Sequence, residues 1–508
     1  MAMSRVQQWL NRPGPTLISL LKLILAGIVI IAVIFLIARI YQSERGAPLQ
    51  SWHTWSADEM NEKEIDHATF ADYQAREAAI FAEMQRDITN TLDDAEKTPL
   101  NRYYAQSLVY PARFQPDWNR SFILMPQSTP RGAVVLLHGL TDSPYSMRYL
   151  AEDYRQQGFV AVVPRLPGHG TAPGALTRVN WEQWLAVTRL AVREATRRAG
   201  KAVPLHLVGY SNGGALAMKY ALDALNDPAL RQPQQIVLLS PMIGVTTFAR
   251  FAGLAGLPSV LPAFAKAAWL NVMPEFNPYK YNSFPVKAAR QSWLLTQALQ
   301  QQILLQSHHQ GLASLAPVLT FQSVMDSTVS TRAVVASLYR HLQSRGNQLV
   351  IFDINQAAEL RALLRPDLNN AVSNLLPPAP RPYATTVITN ATPATADTVA
   401  RNTPANQRTE TVQPLHIAWP PGMYSLSHVA VPFPLTDSLY GLQPAEKNQF
   451  GISLGAISLR GESNTLSVGL DTLMRANSNP FFDYMMARIN HHIACSHQPD
   501  IATCFGEQ

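Results

Sequence analysis

Short apolar runs recur from about residue 120 onward, at Phe122–Met125, Ala133–Leu137, Val160–Val163, Leu205–Val208, Ile236–Leu239, Val318–Val324 and Leu349–Phe352. Their length and their content of Val, Ile and Leu predict buried strands. Several are separated by stretches whose apolar residues return every three to four positions, which predicts helices over Met147–Gln157, Trp181–Arg198 and Thr331–Leu342. Such alternation means an α/β fold, with a mostly parallel central sheet covered by helices on both faces.

Two stretches break the rhythm. Residues 243–315 are rich in Ala, Leu, Phe, Pro and Trp (Phe248, Phe251, Leu257, Phe264, Trp269, Phe276, Trp293) and are long enough for a helical cap. Residues 355–415 are rich in Pro, Ala, Thr and Asn and read as an extended, partly mobile excursion.

The N-terminal pattern is different again. Leu17–Ala38 is apolar except for Ser19 and Lys22. At about 1.5 Å of rise per residue, a helix of that length covers the hydrocarbon core of a bilayer, roughly 30 Å thick. Ile37-Ala38-Arg39-Ile40 offers no small-x-small cleavage site, so the expectation is an uncleaved single-pass anchor rather than a signal peptide. Arg5 and Arg12 precede it, and a weak positive-inside bias places the rest outside the cytoplasm. Beyond it, Ser56-Ala57-Asp58-Glu59 has the spacing of a capping box, opening a helix with apolar positions Phe70, Tyr73, Ile80, Phe81, Met84 and Ile88.

The expected organisation is therefore 1–16 cytoplasmic, 17–40 anchor, 41–118 acidic helical stalk or packed N-terminal helix, 119–242 first part of the core and 243–315 cap. Residues 316–354 return to the core, 355–415 form the insertion, and 416–508 make a C-terminal region.

Charge changes this picture little. The net charge of +6 comes from scattered Lys and Arg with no basic run, which argues against nucleic acid as a partner. Asp58–Lys97 carries about eight more acids than bases and reads as a solvated acidic helix. Cys495 and Cys504, the only cysteines, suggest a small disulfide loop in an oxidising compartment. The neighbouring His491, His492 and His497 are metal-ligand types as well, but no metal is assigned.

The chemistry centres on Leu205–Leu216. A buried strand there turns into a helix at Gly209-Tyr210-Ser211-Asn212-Gly213, the G-x-S-x-G of a nucleophile elbow. Gly451-Ile452-Ser453-Leu454-Gly455 has the same spelling, but no apolar strand precedes it and too little chain follows to supply partners.

Four features in chain order, His138-Gly139-Leu140, the Ser211 elbow, Met325-Asp326-Ser327-Thr328-Val329 and Ser427-His428-Val429, resemble the α/β-hydrolase fold over about residues 120–440. Within it the resemblance is to bacterial carboxylesterase and monoacylglycerol-lipase-like proteins. It implies a membrane-anchored serine hydrolase of carboxylic, lipid-like acyl esters, in a bacterial inner membrane with the domain periplasmic, and no cofactor. Ser211 is the nucleophile, His428 its base and Asp326 the acid that fixes the imidazole tautomer. Asp353 is the runner-up acid and His416 the competing histidine. Backbone N–H groups of Leu140 and Asn212 form the oxyanion hole, with His138, Gly139, Gly209 and Gly213 in support. The Asp326 to His428 separation exceeds what the resemblance implies, and the 355–415 insertion accounts for the excess. The same fold hosts peptidases or amidases, thioesterases and cofactor-free haloperoxidases; a non-catalytic anchored scaffold is the rival from another class.

Overall fold

A computed structural model describes residues 17–244, 257–308, 311–326, 328–342, 346–357, 370–421, 423–455, 477–498 and 504. Strands β1 (Phe122–Leu124), β2 (Gly132–Leu137), β3 (Phe159–Val163), β4 (Leu205–Tyr210) and β5 (Gln235–Leu239) coincide with the first five apolar runs to within two residues at each end. After the short hairpin β6 (Trp269–Asn271) and β7 (Phe284–Pro285) come β8 (Val318–Ser323) and β9 (Gln348–Phe352), the last two runs. Sheet order is β1-β3-β2-β4-β5-β8-β9, continuing into β10 (Ala384–Asn390), β11 (Asp397–Thr403) and β12 (Thr411–Ala418). All pairs from β3 across to β10 are parallel, and β1, β11 and β12 are antiparallel to their neighbours.

The core strands are continuous apolar runs because both faces are covered. Val135, Leu137, Val160, Leu207 and Leu238 face one core, and Val134, Leu136, Ala161, Val208 and Val237 face the other. Flanking helices include α1 (Leu17–Glu44) at the N-terminus, α2 (Phe70–Asp87), α3 (Arg148–Gln156), α4 (Trp181–Ala199), α5 (Asn212–Ala224), α6 (Val286–His308) and α7 (Phe482–Cys495). Helices α4, α5 and α6 fill the first core; α3 and α7 fill the second.

Segment 355–415 is where the structure departs most from the expectation. Rather than an excursion, 384–418 extends the sheet by three strands. Its Thr, Val and Ile suit a strand that is half covered, and the outermost, β12, is mostly exposed, so no apolar run betrays it. Of segment 243–315, Phe248 and Phe251 lie outside the described residues. Its remainder supplies the β6–β7 hairpin and helix α6, which packs on α5.

Helix α1 is long and apolar enough to cross a membrane and turns Leu21, Leu23, Ile31 and Ile37 outward, each more than 60% exposed. Its last turns rest on residues 262–268: Arg39 donates to the Trp269 carbonyl, and Lys266 Nζ reaches the carbonyls of Glu44 at 3.3 Å and Gly46 at 3.4 Å.

The expected capping box at Ser56 opens no helix. Helix Glu62–His67 is capped by Asn61 and helix α2 by Thr69, each in a reciprocal box with the residue three ahead. Glu59 is instead drawn into the protein, where Arg165 binds it through two 2.8 Å contacts and Glu77 at 3.2 Å. Arg189 likewise binds Asp66 and Glu62. The acidic stretch is in this part a docking face, because buried guanidinium groups demand carboxylate partners.

Candidate active site

Strand β4 runs straight into α5 through Ser211, which sits at φ 55°, ψ −116°. A non-glycine residue at positive φ costs on the order of 1–3 kcal/mol and persists only where its surroundings impose it. Here they do. Ser211 N–H donates to the Leu239 carbonyl at 3.0 Å, and the Ser211 carbonyl accepts from Met242 N–H at 2.9 Å, pinning the turn to the end of β5. Glycine at both flanks is a packing necessity: a Cβ at 209 would come within 2.3 Å of the Gly213 carbonyl oxygen, and one at 213 within 2.0 Å of the Leu137 carbonyl oxygen.

Three distant side chains converge on this turn. His428 Nε2 lies 2.8 Å from Ser211 Oγ, and its Nδ1 lies 2.7 Å from Asp326 Oδ2. All three are buried, with Ser211 retaining 7% of its surface and His428 5%. Asp326 sits in the turn just after β8, and its other oxygen accepts from the N–H groups of Thr328 at 2.9 Å and Val329 at 3.0 Å. Burial pushes the Asp326 carboxyl up, but the charge and hydrogen bond of His428, with those two N–H groups, outweigh it and leave it below its ordinary value. A carboxylate so held accepts from Nδ1–H, leaving Nε2 free to take the serine proton.

The His428 loop is tied down at three points the sequence did not flag. Tyr210 Oη donates to the His428 carbonyl at 3.3 Å, Ser323 Oγ to the Leu426 carbonyl at 2.9 Å, and Asn355 Nδ2 to the Met423 carbonyl at 2.7 Å. Tyr210 occupies the variable position of the elbow, where the motif alone specifies no side chain.

The loop after β2 lies against Ser211: a Cβ on Gly139 would stand 3.2 Å from Ser211 Cβ. His138 fixes this loop. Its Nε2 accepts from Leu166 N–H at 3.1 Å, so its Nδ1–H donates to the Gly139 carbonyl at 2.9 Å. Burial holds the ring well below its ordinary pKa, and it is neutral. Leu140 follows directly, and Asn212 opens α5, whose N-terminal end favours negative charge beside Ser211.

The competing residues lie elsewhere. Asp353 accepts from Ile354 N–H at 2.8 Å and Thr389 Oγ1 at 2.9 Å. His416 is on the edge strand β12, and Ser453 is in a loop whose backbone bonds Leu439. Cys495 is bonded to Cys504, with His491 Nε2 3.5 Å from the Cys495 sulfur. Both sulfurs of that cluster are therefore engaged with each other, and neither is a thiolate ligand.

Residues 128–354 match the family described as "Serine aminopeptidase, S33". A thermostable monoacylglycerol lipase of Bacillus sp. (strain H-257) is 35% identical over 88 residues, 17% of this chain and 34% of that protein. The chain thus spans about one third of the length of this curated relative. Among solved structures, a monoacylglycerol lipase of Paleococcus ferrophilus is 18% identical, covering 50% of this chain and 98% of its own, with a TM-score of 0.34. A monoglyceride lipase variant of Saccharomyces cerevisiae is 13% identical over 46% of this chain and 81% of its own, with a TM-score of 0.36. With its strand order and elbow, the chain has the α/β-hydrolase fold, and its matched segment resembles the S33 family.

Proposed function

We propose that the chain is a membrane-anchored serine hydrolase that cleaves carboxylic, lipid-like acyl esters. The observation that carries this reading is the unbroken path from Ser211 Oγ through His428 to Asp326, 2.8 Å and 2.7 Å long in its two steps. Ser211 attacks the acyl carbon as His428 Nε2 takes its proton. Negative charge gathers on the former carbonyl oxygen, where the N–H groups of Leu140 and Asn212 stabilise it; loss of one such donor costs roughly 3–4 kcal/mol. His428 returns the proton to the departing alcohol, leaving an acyl-enzyme. Water activated by the same imidazole then releases the acid. The protein's own groups carry every step.

Ester is supported over amide by the monoacylglycerol lipase similarity and by an apolar N-terminal helix long enough to cross a membrane. The S33 description supports the peptidase reading on the same residues. p-Nitrophenyl esters set against aminoacyl amides separate the two.

A fluorophosphonate probe tests the reading. Wild type is expected to be labelled, and Ser211→Ala to lose the label. An unlabelled wild type, or a variant labelled as strongly, overturns it. Protease protection in intact cells tests the anchor: residues after Glu44 are expected to be cleaved from the periplasmic side, and protection there reverses the topology.

A further inference from the structure

A hollow of about 740 Å³ is lined by the segment that follows α1, by residues of the β6–β7 region and by the residue after His428. Val429, which follows His428, is in its wall, as is Lys280, whose charge acts on Asp142 in the loop after Leu140. Ala47, Pro48 and Gln50, in the segment that follows α1, line it as well. Val272, Phe276 and Leu454 also line it.

We propose that this hollow holds the acyl chain of a single-chain lipid ester drawn from the leaflet nearest the C-terminal end of α1, and that the segment leaving the anchor is part of its lining. The inference rests on the serine-hydrolase reading above. Three observations on the molecule converge. First, pockets that hold one small ligand span a few hundred to about 1000 Å³, and this hollow lies within that range. Its lining is mostly apolar, which suits an alkyl chain.

Second, the wall is built rather than a passing contact. His53 Nδ1 accepts from Gln50 N–H at 2.9 Å, and its Nε2–H donates to Ser283 Oγ at 3.0 Å, joining the post-anchor segment to the hairpin. Burial lowers the His53 pKa to about 4, so this neutral strut persists at physiological pH. Glu275 accepts from Asn282 N–H at 3.0 Å and Ser283 N–H at 2.8 Å, fixing the hairpin side.

Third, the position sets the source. Glu44, Gly46 and Lys266 hold the end of α1 to residues 262–268, which keeps the hollow at the foot of the anchor. An anchored pocket meets lipid of its own leaflet at a high effective concentration, and a soluble ester gains nothing from that.

The test uses full-length Ser211→Ala in phosphatidylcholine vesicles containing an alkyl-ether monoglyceride with a mid-chain diazirine. Photolysis is expected to crosslink residues 47–53, 272–276 and 454, and excess monooleoylglycerol to compete. Crosslinks confined to 17–44 would mean bulk lipid contact and overturn the proposal. In the Ser211 enzyme, Val272→Trp and Leu454→Trp, from different segments of its lining, are each expected to lower the ratio of monooleoylglycerol to p-nitrophenyl butyrate turnover about tenfold. An unchanged ratio in the variants that fold also overturns it. Butyrate turnover without wall crosslinks sinks this inference alone; a wild type that cleaves neither ester sinks the serine-hydrolase reading and this one with it.

Discussion

Asp326 Oδ2 and His428 Nδ1 meet at 2.7 Å although 102 residues separate them. Strands β10 to β12 occupy much of that interval as an extension of the sheet, so the excess chain leaves the ends of β8 and of the His428 loop side by side. Asp326→Asn should keep the fold and lower kcat roughly 10³ to 10⁴-fold, because an amide stabilises the wrong imidazole tautomer and no imidazolium. Steady-state hydrolysis of p-nitrophenyl butyrate, with circular dichroism to check folding, measures this. A loss below tenfold would remove Asp326 from the mechanism.

Asp142 contributes a component of stability that falls with rising pH. Burial pushes its carboxyl up to about 6, against the pull of Lys280. Between about pH 4 and 6 the unfolded chain has released a proton from this group that the folded protein keeps, so its contribution declines by at most about 1.4 kcal/mol per pH unit, while buried neutral histidines such as His53 and His138 contribute the opposite slope. Asp326 works in the opposite sense: its depressed pKa contributes stability that is lost only as pH falls below the ordinary carboxylate range, outside this window. Thermal unfolding of wild type and Asp142→Asn across this window should show the stability of wild type relative to the variant falling as pH rises, the histidine contribution being common to both. Parallel profiles would assign the dependence to another group.

Arg165 welds the N-terminal segment to the end of β3. Its side chain is fully buried between Glu59 and Glu77, themselves 4% exposed. The two acids differ: burial pushes both up, and Arg165 outweighs it at Glu59 but not at Glu77. Arg165→Met should therefore destabilise by about 3–5 kcal/mol, since it strands buried carboxylates. Glu77→Gln should cost less, because that carboxyl gives up its charge more readily. Urea unfolding of the two variants gives the order, and a smaller cost for Arg165→Met would contradict the buried-pair account.

The parallel strands from β2 to β9 were legible because each is covered on both faces and so reads as an unbroken apolar run. That Ser211, Asp326 and His428 would meet was legible for a related reason: they sit in the chain order the fold uses, the first two at the ends of such runs. Strand β12 was not, since an exposed edge such as Thr411–Ala418 carries little apolar contrast. Nor was the docking of Glu59 and Glu77. A carboxylate near a helix looks solvated until its guanidinium is known, and Arg165 lies 106 residues from Glu59. The capping box at Ser56 failed for that same reason, its Glu59 being taken by Arg165 before it can cap.

Tyr210 was hidden in plain sight, at a position the elbow motif leaves open. Its hydroxyl donates to the His428 carbonyl at 3.3 Å, and its ring centroid lies 5.3 Å from the imidazole. It touches His428 through the backbone and a ring face, so in the proposed mechanism it is a positioning residue. Tyr210→Phe keeps the ring and removes one buried hydrogen bond, typically about 0.5–1.5 kcal/mol. If that energy holds the imidazole at 2.8 Å from Ser211 Oγ, kcat should fall about three- to tenfold with KM nearly unchanged. Tyr210→Leu, which also loses the ring contact, should fall further. Equal loss in KM and kcat would place Tyr210 in substrate binding, and an unchanged kcat would mean that Ser323 and Asn355 hold the loop without it.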